Sequence, residues 1–506
     1  MSRMPSLALT LGGRTDRWSG RERLLVAIVC AFNFAIRIYR FDFPIVNGWQ
    51  FRYTQTAWGI RSLMRDGFNP LTMETPVLGP PWRIPFEFPT FQLLAASIGR
   101  VGSLDPAYAG RLTASVVFAV GITAVYALAR QLAGISVAWV AVLIYGFSAF
   151  GLNWGSQVLI DFTATTLGVA FLALVLREGR ASSWSRTIAI CCLGTIATLS
   201  KSTTGLAWVI VGGTVVSWWR PTWRARVRLW LPSVLAPTIV TLAWTRLTDR
   251  VKDSNPHTEF LLSGRLNFGG HHFRRPADLI EMAPWRILVE HALQPSIGSV
   301  LLGVVLVLAA WTSTAGRRTA LLLTGVLCSA PLIFNGLYLT HDYYFIAVYP
   351  AFVILCATGL VTIGAAIQRS SSSRGTPGLT VAAAMAVCIM SWTSPEGVEN
   401  MNMLLTRQRA GVMEYPEISD NVGPDQHLIV IGQDWDPTLL YVVDRKGLML
   451  RPNGSRPEEG ELGTFYEFVY WAEPDPTAEQ WAEYFPPELR YEPISANFYR
   501  IFPLTN

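Results

Sequence analysis

A few side chains in this 506-residue sequence have the types and neighbours needed for chemistry. Glu87 lies in Pro85-Phe86-Glu87-Phe88-Pro89, a carboxylate between two aromatic rings with a proline beyond each. Partial desolvation in such a setting raises a carboxylate pKa and suits it to general-base work. The structural alternative is an ion pair with Arg83. Asp161 opens an apolar run, as a second acid or as a cap on the exposed N–H groups of a helix start. Lys201, in the turn Ser200–Thr204, is one of three lysines in the chain, with Lys252 and Lys446. A lysine is a compact point charge for a phosphate, although one at a membrane surface also reaches out to water. Arg52 offers a planar fork to phosphate oxygens or lipid headgroups. His341 supplies a ring N–H, and Tyr343 and Tyr344 follow it as aromatic-belt or binding residues. Removing a hydroxyl proton while a phosphate departs requires both kinds of group, a base and fixed positive charge.

The elements that must position these residues are apolar. The chain is 51% hydrophobic and 15% charged, with a mean hydropathy of +0.32, whereas soluble domains carry about a quarter charged residues. The apolar residues collect in runs of roughly 17–25, the length that crosses a bilayer. Eleven spans are expected: 24–40, 110–131, 135–152, 162–177, 185–200, 203–219, 228–246, 295–313, 318–338, 344–367 and 377–393. Arg37 and Arg40 then read as interfacial anchors of an uncleaved first helix. With the amino-terminus and alternate loops placed in the cytoplasm, those segments hold 17 arginines and three acids. The tail from 394 onward holds eight basic and 19 acidic residues and falls outside. No span carries an ionisable side chain near its middle, unlike the midplane groups of ion-coupled transporters. All six cysteines lie within the spans, and no basic stripe points to nucleic acid.

The domains expected are a basic cytoplasmic segment 1–23, a membrane domain 24–393 and an extracytoplasmic soluble domain 394–506. Three outer segments, 41–109, 247–294 and 394–506, are large enough to hold chemistry. Arg52–Asp66 has the apolar spacing of an amphipathic helix, stopped by Gly67 and Asn69-Pro70. Pro89–Ile98 is too short to span and lies in the interface or packs on the bundle. Arg265, His271, His272, Arg274 and Arg275 cluster around Gly269-Gly270, either as a solvated basic loop or as a grip for an anionic acceptor. Adjacent histidines without a spaced acid make a poor metal site; the sequence specifies no cofactor, and a divalent metal stays open without support from ligand spacing. In the tail, strands are expected at His427–Ile431, Tyr466–Trp471 and Asn497–Phe502 and a helix near Ala478–Tyr484, making a small α/β or α+β domain. Asp434, Asp436, Asp444, Arg445 and Lys446 there have the look of a ligand-facing loop.

Several stretches, in order, resemble the GT-C membrane glycosyltransferases that use polyprenyl-phosphate sugars, among them protein O-mannosyltransferases, aminoarabinose transferases and lipopolysaccharide-core galacturonosyltransferases. They are Ile38–Asp42, Trp49–Ala57, Pro85–Pro89, Leu159–Asp161, Leu199–Gly205 and His341–Tyr344, spread over residues 24–393. The resemblance implies an all-α polytopic bundle of about 11 helices with a large first outer loop. It implies an integral inner-membrane enzyme that moves a sugar, with inversion, from a polyprenyl-phosphate donor to an extracytoplasmic lipid, glycan or protein acceptor. Residue by residue, Glu87 matches an outer-loop glutamate on the acceptor side and Asp161 the second-loop acid. Lys201, Arg52, His341 and Tyr344 match groups around the donor phosphate, while Arg83, Arg274 and Arg275 are candidates for acceptor or anion binding. One departure stands out: where the family places a first-loop acid, this chain has Trp49. Two other readings stay open. One is a ligase or polymerase acting on diphosphate-linked glycans through the 247–294 loop; the other is an inactive homologue or transporter that binds lipid-linked sugars.

Overall fold

The structure, a computed structural model, describes residues 18–39, 45, 49–178, 183–268, 271–275, 280–313, 317–370, 377–395, 397–399, 414–451 and 456–503. Residues 40–42 of the first motif, Gly269-Gly270, the serines 371–373 and the arginines at 3, 14, 17, 40, 180 and 374 lie outside that set.

Helices α1 (Gly20–Ile38), α2 (Gln50–Asp66), α3 (Thr90–Gly102), α4 (Pro106–Ala133), α5 (Ile135–Phe147), α6 (Ala149–Trp154), α7 (Asp161–Glu178) and α8 (Trp184–Ser200) make the first half. Helix α9 starts at Ser202–Gly205, widens into a π-helical stretch Leu206–Gly212 and ends at Gly213–Trp218. Helix α10 covers Trp223–Lys252, α11 Trp285–Ile297, α12 Val300–Thr312, α13 Arg317–Ile333, α14 Tyr349–Ser370 and α15 Pro377–Trp392. A helix overlaps each expected span. Among the described residues, three are long and apolar enough to cross a membrane, Pro106–Ala133, Trp223–Lys252 and Tyr349–Arg369; α11 and α12, bent by 71°, add a fourth if taken as one span. The other expected spans fall on shorter helices.

Close helix approach sets the packing. A Cβ at Gly359 would sit 1.9 Å from the Leu306 carbonyl oxygen, so the backbones of α12 and α14 approach this closely only because that position is glycine. Arg37 departs from its expected role as an interfacial anchor. It is buried, donating to Asn33 Oδ1 and to the Gly151 carbonyl, each at 2.8 Å, and its guanidinium lies 3.7 Å from the Phe118 ring centroid. These partners replace the water that a buried cation loses.

Residues 427–501 form a five-stranded sheet: β1 (His427–Ile431), β2 (Lys446–Leu450), β3 (Tyr466–Trp471), β4 (Tyr491–Pro493) and β5 (Phe498–Ile501), in the order β2-β1-β3-β5-β4. β1 pairs parallel to β2 and β3, and β5 antiparallel to β3 and β4. A helix at Thr438–Val443 crosses from β1 to β2, and another occupies Ala478–Tyr484. The sheet docks on α2: Arg61 bonds Asp444 at 2.8 Å, Arg65 bonds it at 2.5 Å, and the hydroxyls of Thr54 and Thr438 lie 3.1 Å apart. The Gly447 amide donates to the Pro76 carbonyl at 2.8 Å, so the first-loop segment covers the β2 edge and protects it from stray pairing.

Candidate active site

Two adjoining cavities open where α2, α7, α8 and α10 meet the sheet. The first, of about 430 Å³, is lined by Arg52, Glu87, Asp161, Lys201, Tyr343 and Tyr344, among others. Residues from five separate stretches of sequence thus share one space.

The backbone explains how they arrive there. Asp161 is the first residue of α7, and Lys201 is the extended residue between α8 and α9, so both stand at helix ends on one level. Lys201 Nζ meets Asp161 Oδ1 at 2.5 Å, with Asp161 1% and Lys201 5% exposed. A buried pair of this kind needs close geometry to offset the loss of water. The ammonium also lies 4.3 Å from the Tyr344 ring centroid and 5.3 Å from that of Tyr343, over aromatic faces that favour a cation. Arg52, in the first turn of α2, donates to the Tyr343 hydroxyl at 3.1 Å and to Gln55 Oε1 at 2.8 Å.

Glu87 is carried on a pinned loop. The Phe88 amide donates to the Leu199 carbonyl at 2.9 Å, the Trp244 indole donates to the Phe86 carbonyl at 3.0 Å, and Ser200 bonds Thr90 at 2.7 Å. The loop is thereby tied to the turn that holds Lys201. Among the described residues Glu87 has no ion pair, and the anticipated partner, Arg83, is exposed and lines neither cavity. The amide Nε2 of Gln55 and the Oε1 of Gln92, both of which belong to cavity-lining residues, are buried without a hydrogen-bond partner.

The second cavity, of about 910 Å³, is lined by Trp49, His341, Arg265, Glu259, Asp434 and Arg451, among others. Arg52, His271 and Trp435 border both spaces. Trp435 projects from the loop after β1 against Phe51, with ring centroids 4.7 Å apart, and against Phe86 at 6.0 Å. His341 packs on Trp49 at 5.0 Å and bonds Thr340 Oγ1 through Nδ1 at 2.7 Å. Burial, with Arg52 nearby, pulls the His341 pKa down to about 4, and His272 down to about 4, so both rings are neutral near pH 7. Asp342 is pushed up to about 6 by burial, even though it accepts from the Trp49 side chain and from the Tyr343 amide.

The structure thus gathers Glu87, Asp161, Lys201, Arg52 and Tyr344 on the first cavity and places His341 on the second. Arg274 and Arg275 line neither; the Arg274 amide instead bonds Asn335 Oδ1 at 2.7 Å. Gln55, Gln92, Glu74 and Trp435 were not foreseen in these positions. One signal was present. Of the three lysines, Lys201 and Lys252 line the first cavity, and Lys446 pairs with its wall residue Glu74. Among the described residues no group of three or more His, Cys, Asp or Glu side chains is placed to hold a metal ion.

No protein-family model and no curated protein matches the sequence. Solved structures do match it. ArnT from Cupriavidus metallidurans in the apo state aligns with a TM-score of 0.64 at 14% identity, over 95% of this chain and 98% of that one. ArnT from the same organism bound to undecaprenyl phosphate aligns at 0.62 and 13% identity, over 96% and 98%. The arabinofuranosyltransferase AftD from Mycobacteria aligns at 0.54 and 11% identity, over 96% of this chain and 40% of that one. With ArnT matched over nearly the whole of both chains, this chain has the fold of these proteins, the GT-C fold.

Proposed function

We propose that this protein is an integral membrane glycosyltransferase that moves a sugar from a polyprenyl-phosphate carrier to a hydroxyl of an extracytoplasmic acceptor, inverting the anomeric centre. The observation that carries the reading is the shared cavity of Lys201, Arg52 and Glu87, with Asp161 holding the lysine. The likeness to ArnT, a protein captured with undecaprenyl phosphate, supports a lipid-phosphate donor.

In this reading the acceptor oxygen bonds to the anomeric carbon as the bond from that carbon to the phosphate oxygen breaks. The acceptor proton passes to the Glu87 carboxylate. The departing phosphate keeps the bonding pair, and its charge is met by Lys201 and Arg52 in a site shielded from water, where fixed charges act strongly. One base and direct displacement give inversion. Asp161 is a positioning residue, its carboxylate committed to the lysine. Tyr344 backs the ammonium, and neutral His341 donates a hydrogen bond from the second cavity, where the acceptor is received. The arginine bias of the short loops supports an orientation with the amino-terminus cytoplasmic and the sheet outside, and the likeness to ArnT supports placing the protein in a bacterial inner membrane.

Purified protein supplied with undecaprenyl-phosphate-linked sugars and candidate acceptors is expected to release undecaprenyl phosphate. One observation favours a second reading: Trp49 stands where related enzymes place an acid. If the protein binds the donor but never releases undecaprenyl phosphate, the inactive, sugar-binding reading replaces the enzyme. A ligase acting on diphosphate carriers would instead be disabled by Arg274→Ala and spared by Glu87→Ala.

A further inference from the structure

A groove of about 490 Å³ lies at the opposite end of α7 from Asp161, between the start of α1 and the second halves of α4 and α7. Its floor is small and apolar, with Ala124, Ala127, Ala170 and Ala173, and two arginines, Arg23 and Arg177, stand among its walls. From Val120 to Ala127 along α4 it runs about 10 Å at the helical rise. It opens sideways, since Val120 is 55% exposed. Asp161 begins α7 and Arg177 lies in its last turn, so this groove and the Lys201 cavity are separated by roughly 24 Å of helical rise.

Neither arginine is used up by the described residues. Neighbouring Glu22 is fully engaged, accepting from Arg130 at 2.8 Å, from Tyr126 at 3.0 Å and from the Ser19 amide at 2.7 Å. Among the described residues Arg23 spends only its Nε, on the Trp18 carbonyl at 3.2 Å. Arg177 Nε is buried with no hydrogen-bond partner among the described residues. Neither arginine has a carboxylate partner among the described residues. An apolar channel with paired positive charge at the arginine-rich end of a membrane bundle matches one chemical class, an acyl chain that ends in a negatively charged headgroup.

We infer that this groove is a binding site for one anionic glycerophospholipid, its acyl chain against the alanines and its phosphate on Arg23 and Arg177. Protein and lipid remain non-covalently bound, and the site is separate from the donor cavity.

The test uses full-length protein in nanodiscs, with retained lipid counted by native mass spectrometry and phosphatidylglycerol compared with phosphatidylcholine of identical chains. Wild type is expected to retain one phosphatidylglycerol at least tenfold more than phosphatidylcholine. The variant R23Q/R177Q loses that preference, while Glu87→Gln keeps it. Ala170→Leu, which fills the floor and leaves both arginines intact, also loses the bound lipid and guards against a charge variant that fails to fold. Equal retention of the two lipids overturns the proposal, as does phosphatidylglycerol retention indifferent to R23Q/R177Q and Ala170→Leu. Preferential retention of added undecaprenyl phosphate at this groove, lost in R23Q/R177Q, overturns it in favour of a carrier-lipid site.

Discussion

Lys201 Nζ and Asp161 Oδ1 lie 2.5 Å apart although their residues are 40 positions apart in sequence, and the pair forms part of the wall of the first cavity. The lysine is held in place by an acid that it neutralises, and the Tyr344 ring lies beneath its charge. In the proposed reaction Lys201→Ala lowers turnover by about 10²–10³-fold, the usual cost of deleting one preorganised charge donor. Asp161→Asn leaves the ammonium buried without its carboxylate, and Lys201→Ala the carboxylate without its ammonium, so each destabilises the fold by about 3–5 kcal/mol. The double variant Lys201→Met/Asp161→Leu recovers most of that stability but no activity. Thermal unfolding in detergent and steady-state release of undecaprenyl phosphate separate the two effects.

Glu87 separates base from binding. Glu87→Gln keeps the size and the loop anchors through Phe86 and Phe88, so donor affinity stays within about threefold of wild type while turnover falls about 10²–10⁴-fold, the range for a lost general base. The donor Kd and the single-turnover rate, measured on one preparation, check this.

How far was this legible beforehand? The helix over Ala478–Tyr484 and the strand over His427–Ile431 were readable because local pattern decides them. So was α2, whose amphipathic spacing survives in the structure. Glu87, Asp161 and Lys201 were visible because each is an ionisable group beside an apolar run, in a chain with few of them. The wall supplied by Trp435 was not, since it depends on docking the sheet against α2 through Arg61 and Asp444, a tertiary contact with no local signal. β2 escaped because Lys446-Gly447-Leu448-Met449-Leu450 has no alternation and takes its place from parallel pairing with β1. Arg37 misled for the opposite reason. Its position near the end of a span suggested headgroups, but Asn33 one turn earlier and the Gly151 carbonyl across the bundle supply an interior site.

Trp435 offers a test of the partition between the two cavities. Trp435→Ala removes a ring that borders both and that touches Phe51 and Phe86. Trp435 is half-buried, and losing an aromatic anchor of a binding site costs about 2 kcal/mol of binding. The account places that loss on the acceptor, as a KM raised roughly 30-fold with donor Kd nearly unchanged. Separate titrations of donor and acceptor check it.

The pH dependence has a definite sign. His341 and His272, held at about 4 in the folded protein against an ordinary 6.5, stay neutral while the unfolded chain takes up protons, so they withdraw stability as the pH falls from 6.5 to 4. Asp342, held at about 6 against 3.8, acts the other way: its contribution is complete below 3.8 and is lost as the pH rises through 6. The Tm of His341→Gln therefore falls less than that of wild type between pH 6.5 and 4, and that of Asp342→Asn falls more. Scanning calorimetry of the three proteins across this window checks both slopes.

The most direct measurement is a cryo-EM structure of the full chain with undecaprenyl phosphate. The account predicts the phosphate in the first cavity, in hydrogen-bond contact with Lys201 Nζ and the Arg52 guanidinium, with Glu87 facing open space beside it. A phosphate seated elsewhere while this cavity stays empty would contradict it.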